Sequence, residues 1–115
     1  MTSELPLPEL SVRQLKQKLD AGKEPVVLDV REAHELLIAS LPRTKNTVHI
    51  PLGQLPIRFH ELERHKEEEI VVYCRSGGRS QMAVNFLLQN GFRARNLKGG
   101  ILAWSQEIDP QVPKY

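Results

Sequence analysis

The chain has 115 residues, of which 40% are apolar, so it can bury one core but not two. Lys and Arg number 16 against 14 Asp and Glu, and the net charge of +2 is too small to indicate nucleic-acid binding. The 1 cysteine excludes an internal disulfide and is typical of a reducing compartment. Residues 1–10 lack the pattern of a signal peptide, and no stretch is apolar enough to span a membrane. We therefore expect a cytoplasmic protein without a membrane partner.

Helix-like and strand-like patterns alternate along the chain. Residues 11–20 predict a helix, because Ser11 and Gln14 make a capping box and Gly22 can close it. The remaining predicted elements are a strand at 25–30, a helix at 32–39, a weak strand at 47–50, a helix at 54–64, a strand at 70–74, a helix at 80–90, a strand at 93–97 and a helix at 101–108. Repeated βα units with apolar strands predict an α/β fold with a mainly parallel sheet and helices on both faces. We expect one domain over residues 1–115.

The strongest chemical signal is the segment that contains the cysteine. Cys74 follows an apolar strand and precedes a helical pattern, and Gly77 and Gly78 lie between them. Backbone N–H groups converge in such a strand–loop–helix turn, and the helix dipole adds positive potential. Arg75 and Arg79 add cationic charge, which favours the reactive thiolate. The pattern therefore indicates a catalytic cysteine rather than a packed one.

The spacing inside this loop narrows the chemistry. Four residues separate Cys74 from Arg79, whereas tyrosine-phosphatase loops have five residues between the two and enclose a tetrahedral phosphate. A shorter ring is better suited to one additional sulfur atom on the cysteine. Ser80 is either a helix N-cap or a further member of the site. The candidate ligand-binding residues of the loop are Arg75, Ser76, Gly77, Gly78, Arg79 and Ser80.

Three more segments match the motifs of one family in its order along the chain. Residues 27–32 read Val-Leu-Asp-Val-Arg-Glu, residues 49–52 read His-Ile-Pro-Leu, and residues 97–104 read Leu-Lys-Gly-Gly-Ile-Leu-Ala-Trp. With the cysteine loop, they resemble the rhodanese (sulfurtransferase) family over nearly the whole chain. Residues 38–42, 49–55 and 108–115 resemble one branch in particular. Its members are fused to adenylyltransferases that activate ubiquitin-like sulfur carriers for molybdopterin and thiamine-type pathways.

Supporting residues are expected at the same edge of the sheet as the loop. Asp29, Arg31 and Lys98 all follow predicted strands, and ligands of open parallel sheets gather beyond the carboxyl ends of the strands. For Asp29 and Arg31, an ion pair or a loop anchor is favoured over direct chemistry. Arg31 is also spaced to pair with Glu35. Lys98 either attracts an anionic donor or is a solvated surface lysine. The 4 histidines lack a metal-like grouping, and we expect neither a metal nor a cofactor.

The resemblance implies transfer of sulfane sulfur from a donor such as thiosulfate through a persulfide on Cys74. The acceptor is either a small thiophile or a protein, such as a ubiquitin-like sulfur carrier or its adenylyltransferase. Two alternatives stay open at this stage. One is a phosphatase or arsenate reductase that uses the same type of loop. The other is a non-enzymatic rhodanese-like module that acts in protein interaction or sulfur relay.

Overall fold

The computed structural model describes residues 7–115 and contains a five-stranded sheet. All four strand pairings are parallel, and the strand order is β1-β5-β4-β2-β3. The strands are β1 (Glu9–Leu10), β2 (Val26–Asp29), β3 (Thr47–His49), β4 (Glu69–Tyr73) and β5 (Arg93–Leu97). The predicted parallel sheet is confirmed. The sequence pattern missed β1, because two residues show no alternation and the strand is recognisable only from its pairing with β5.

Within residues 7–115, five α-helices and two 3-10 segments lie between or after these strands. The helices are α1 (Val12–Asp20), α2 (Ala33–Leu36), α3 (Leu55–Arg58), α4 (Gly78–Gln89) and α5 (Gly100–Glu107), and the 3-10 segments are Leu52–Gln54 and Phe59–His65. The capping box at α1 is confirmed: Ser11 Oγ accepts from the Gln14 backbone N–H at 3.0 Å, and Gln14 Oε1 accepts from the Ser11 N–H at 2.8 Å. No helix within residues 7–115 is long and apolar enough to cross a membrane.

Two predicted helices differ from those observed. The helix expected at 54–64 is divided between α3 and the 3-10 segments, and the buried residues Leu62 and His65 fit the three-residue turn of a 3-10 helix. The helix expected at 32–39 ends early, because α2 covers only Ala33–Leu36. The chain leaves the helix there and buries Ala39 and Leu41 in the core.

The core lies on both faces of the sheet, as the α/β pattern predicts. Side chains along β4 alternate, so that Ile70 and Val72 point to one face and Val71 and Tyr73 to the other. The first face is covered by α3 and α4, and the second face by α1 and α5. Trp104 of α5 is 2% exposed and belongs to this second cluster. The helices thus hold β4 rigidly at the centre of the sheet, and Cys74 follows its last residue.

Candidate functional site

A tight turn connects β4 to α4 and carries Cys74. Gly77 adopts a φ of +110° and caps α4, which begins at Gly78. A left-handed backbone at this point favours glycine, because a Cβ would be strained there. The helix therefore begins two residues before the predicted start at Ser80. Ser80 is not the N-cap: it lies in the first turn of α4, and its hydroxyl is 3.4 Å from the Cys74 sulfur.

The sulfur of Cys74 lies at the centre of this turn. Backbone N–H groups donate to it from Gly77 at 3.1 Å and from Ser80 at 3.4 Å. The cysteine is only 1% exposed. Burial raises the pKa of the Cys74 thiol, but hydrogen bonds from the Ser80 side chain and from the loop N–H groups outweigh it. The net effect is a lowered pKa, which favours the thiolate.

Two buried polar residues, Ser80 and Asn96, stabilise the turn around the sulfur. Ser80 and Asn96 are 0% and 2% exposed, and the Ser80 hydroxyl lies within hydrogen-bond distance of Asn96 Oδ1 and of the Gly77 carbonyl. The Asn96 amide donates to the same carbonyl at 3.4 Å. Asn96 was not predicted as a site residue. A polar residue in a buried parallel strand is unusual, and this could have identified it. This pair fixes the start of α4 and the position of the hydroxyl.

The first turn of α5 holds the other side of the loop. The N–H groups of Ile101 and Leu102 donate to the carbonyls of Cys74 and Arg75, each at 3.0 Å. Gly100 has a φ of +61°, and a Cβ on it would lie 2.5 Å from the Arg75 carbonyl oxygen. The turn at residues 98–100 therefore lies against the cysteine loop. Its glycine makes this approach, whereas the Lys98 side chain is exposed.

The two loop arginines have different surroundings. Both Nη groups of Arg79 donate to the Glu35 carboxylate, at 2.6 and 2.9 Å. This bond is the main cause that lowers the pKa of Glu35 to about 2. The predicted Arg31–Glu35 pair is therefore wrong, because Glu35 turns toward the loop and binds Arg79. Arg75, by contrast, is exposed and lies against Tyr115.

Asp29 and Arg31 form a buried ion pair, the role that the sequence favoured. Arg31 is 0% exposed, and its Nη2 donates to Asp29 Oδ2 at 2.8 Å. The Tyr73 hydroxyl donates to the same oxygen at 2.9 Å. Arg31 Nη1 donates to the hydroxyl of Tyr115 at 2.8 Å, and that residue was not expected at the site. The pair thus has a structural role: it holds Tyr73 and Tyr115 in place next to the loop.

Ser76 and Gly78 complete the predicted loop. Both are exposed and lie in the turn itself, and the Ser76 N–H also lowers the pKa of the thiol. Within residues 7–115, no three His, Cys, Asp or Glu side chains are grouped as metal ligands. The site consists of the Cys74 sulfur, the N–H donors of the loop around it, and the arginine side chains of the same loop. Such a site can stabilise a sulfur anion and can bind small anions.

Comparison with known proteins places these features in a family. The family model described as "Rhodanese-like domain" matches residues 11–107. A "Sulfurtransferase" of Allochromatium vinosum is 34% identical over 90% of this chain and 94% of its own length. "Adenylyltransferase and sulfurtransferase MOCS3-2" of Zea mays is 39% identical over 95% of this chain, which spans only 24% of that relative. The solved "Thiosulfate sulfurtransferase from Pseudomonas aeruginosa" superposes with a TM-score of 0.74 and 27% identity, over 87% of this chain and 19% of that one.

Proposed function

The chain belongs to the rhodanese-like family, and we propose that it transfers sulfane sulfur from a donor such as thiosulfate through a persulfide on Cys74. The family match and the names of the relatives support sulfurtransferase activity in general. One observation carries the finer proposal. The Cys74 sulfur accepts hydrogen bonds from the loop, and they lower the pKa of its thiol despite burial.

The first step forms the persulfide. The Cys74 thiolate attacks the outer sulfur of thiosulfate, and a new sulfur–sulfur bond forms while the sulfur–sulfur bond of the donor breaks. The electron pair of the broken bond leaves with sulfite. The total charge is unchanged, because the thiolate becomes a persulfide anion and dianionic thiosulfate becomes dianionic sulfite. Loop N–H groups stabilise the terminal sulfur, and each preorganised donor of this kind is worth about 2.7–4 kcal/mol.

The loop arginines divide the remaining tasks. Arg79 braces the loop, because both of its Nη groups are bound to Glu35. Arg75 is exposed and binds the anionic part of the donor. The exposed side chain of Lys98 adds positive potential beyond β5, at the same edge of the sheet. Attack on the donor and binding of its anionic part are thus assigned to different side chains.

The second step passes the terminal sulfur to a nucleophile and regenerates the thiolate. Cyanide serves as this acceptor in an assay, and a thiol or a protein serves in the cell. The similarity to the maize adenylyltransferase and sulfurtransferase supports a protein acceptor, either a ubiquitin-like sulfur carrier or its adenylyltransferase. We place this reaction in the cytoplasm, where a protein with 1 cysteine stays reduced.

Intact mass of the reduced protein after incubation with thiosulfate tests the proposal. We expect the mass of one sulfur to be added and then removed by dithiothreitol, and Cys74→Ser to acquire none. Thermal unfolding of Cys74→Ser checks that the variant still folds. A wild-type protein that gains no sulfur, or a Cys74→Ser variant that gains as much as wild type, contradicts the persulfide. Hydrolysis of p-nitrophenyl phosphate without sulfur gain would indicate the phosphatase alternative instead.

A further inference from the structure

Tyr115 contacts Arg75 of the cysteine loop and the Glu35 carboxylate that binds Arg79, although it lies far from the loop in sequence. Its ring centroid is 5.3 Å from the Arg75 guanidinium carbon, and its main-chain oxygen accepts a hydrogen bond from Arg75 Nε. Its hydroxyl donates to Glu35 Oε1 at 2.9 Å, on the carboxylate that binds Arg79. One side chain thus contacts one loop arginine directly and the other through Glu35.

A hydrogen bond from the buried Arg31 fixes the position of Tyr115. Its hydroxyl accepts from Arg31 Nη1 at 2.8 Å, and Arg31 is held by the buried ion pair with Asp29. The preceding residues are also docked: Val112 packs on the second core cluster, and its carbonyl accepts from the Ser105 hydroxyl. Residues 108–115, the tail that follows α5, are therefore an ordered part of the site, and Tyr115 has little freedom to move away from Arg75.

Of the two loop arginines, Arg75 has the more available donor groups for a ligand. The contacts of Arg75 with Tyr115 use Nε and one face of the guanidinium, and among residues 7–115 they leave both Nη groups for an anion. Arg79 has less capacity for an anion, because Glu35 occupies one N–H of each of its Nη groups and balances its charge. An arginine side chain that is ordered before binding loses less rotamer freedom when the anion arrives. Cation–π contact with the tyrosine ring supplies this order.

We propose that Tyr115 is a positioning residue that holds the Arg75 guanidinium ready to bind the anionic group of the sulfur donor at the Cys74 loop. The identity of the ligand as a sulfur donor rests on the proposed function, but the capture of an anion by Arg75 does not. The expected effect on anion capture is about two- to tenfold, the range for one side chain immobilised on binding.

Alkylation of Cys74 measures anion capture without sulfur transfer. Iodoacetate is anionic and iodoacetamide is neutral, so the ratio of their rate constants reports the positive potential around the sulfur, while thiol reactivity cancels. We expect this ratio to fall about two- to tenfold in Tyr115→Leu. It falls less in Tyr115→Phe, which keeps the ring but loses both hydroxyl bonds. Gln111→Ala, at an exposed position of the same tail, leaves the ratio unchanged.

A double-mutant cycle separates positioning from a structural role. In an Arg75→Ala background, Tyr115→Leu is expected to lower the ratio no further, because the group that it positions is absent. The KM for thiosulfate should rise in Tyr115→Leu with little change in kcat. An unchanged ratio in Tyr115→Leu, or an equal fall with and without Arg75, overturns the inference. If Tyr115→Leu does not fold, the same two criteria apply to Tyr115→Phe. A wild-type protein that shows the alkylation pattern but forms no persulfide contradicts the proposed function alone.

Discussion

At the scale of single residues, the Cys74 thiol experiences two opposing effects. A buried thiol resists ionisation, because a thiolate without water loses its solvation. The turn replaces that water with N–H donors that are already oriented, at 3.1 and 3.4 Å from the sulfur. The replacement is stronger than the loss, since the pKa of the thiol is lowered. A persulfide anion formed on the same sulfur benefits from the same oriented donors.

Ser80→Ala should raise the pKa of the Cys74 thiol. The substitution removes the hydroxyl 3.4 Å from the sulfur but leaves the burial that opposes ionisation. The fraction of thiolate at neutral pH therefore falls, and alkylation by iodoacetamide slows. Ultraviolet titration of the thiolate measures the pKa directly. Ser76→Ala is the matched control, because Ser76 acts through its backbone N–H and its side chain is exposed. An equal or lower pKa in Ser80→Ala contradicts this account.

Local sequence was sufficient to predict the loop but not its partners. Cys74, Arg75 and Arg79 lie within six consecutive residues, so their proximity follows from chain connectivity. Glu35 lies 44 positions from Arg79, and Asn96 lies 16 positions from Ser80. Their contacts depend on how strands and helices pack, and no local pattern encodes that packing. Glu35 was even assigned to the wrong arginine, because helical spacing offered a nearer partner.

At the scale of elements, the first turn of α5 supports the loop and admits no side chain at Gly100. A Cβ there would lie 2.5 Å from the Arg75 oxygen and 2.6 Å from the Cys74 oxygen, and the residue has a φ of +61°. We expect Gly100→Ala to lower the free energy of unfolding by at least about 1–2 kcal/mol, the cost of a left-handed backbone for an L-residue. Urea unfolding measures this loss.

Gly53→Ala provides the control for this substitution. No atom lies within 4 Å of a Cβ built at Gly53, and its φ is not positive. We expect a change in the free energy of unfolding of less than about 1 kcal/mol there. A Gly100→Ala variant as stable as wild type would mean that the loop and α5 can separate without cost.

Glu35 connects α2 to α4, and its contribution to stability depends on pH. Its pKa falls from the usual 4.5 to about 2 in the folded protein, chiefly through its hydrogen bond with Arg79. A lowered folded pKa gives stability that is fully present above pH 4.5 and is lost as pH falls toward about 2. Glu35→Gln should therefore lose stability relative to wild type at neutral pH, and the difference should shrink in acid.

Urea unfolding at several pH values measures this difference. Glu61→Gln is the control, because Glu61 also binds an arginine, Arg58, but in an exposed pair. A difference between wild type and Glu35→Gln that stays constant from neutral pH to acid would show that the carboxylate charge is not the cause.

Elements were predictable where the signal is local. The start of α1 was predicted because its capping box lies within four residues. The segment from 54 to 64 was misassigned, since apolar positions three apart fit both an irregular α-helix and a 3-10 helix. β1 has only two residues and exists by virtue of its partner β5. Such elements are decided by packing rather than by propensity.

At the scale of the whole molecule, parallel order brings the site together. In the parallel pairing of β2, β4 and β5, Asp29 is the partner of Tyr73, and Val72 is the partner of Asn96. The carboxyl ends of these strands therefore lie side by side, which the alternation of strands and helices predicted. The burial of Arg31 was not predictable, because the side chains that pack over it, Tyr73 and Tyr115, are distant in sequence. The charged network spans β2, β4, α2, α4 and the tail.

Asp29→Ala should test how far the fold depends on this network. Removing Asp29 leaves Arg31, which is 0% exposed, without its carboxylate partner. Loss of one member of a buried ion pair costs about 3–5 kcal/mol. Asp20→Ala removes a carboxylate from a short but exposed pair with Lys16 and should cost less than about 1 kcal/mol. Both losses are measured by urea unfolding. Equal losses in the two variants would mean that water reaches Arg31, and that the rim of the loop has no rigid anchor.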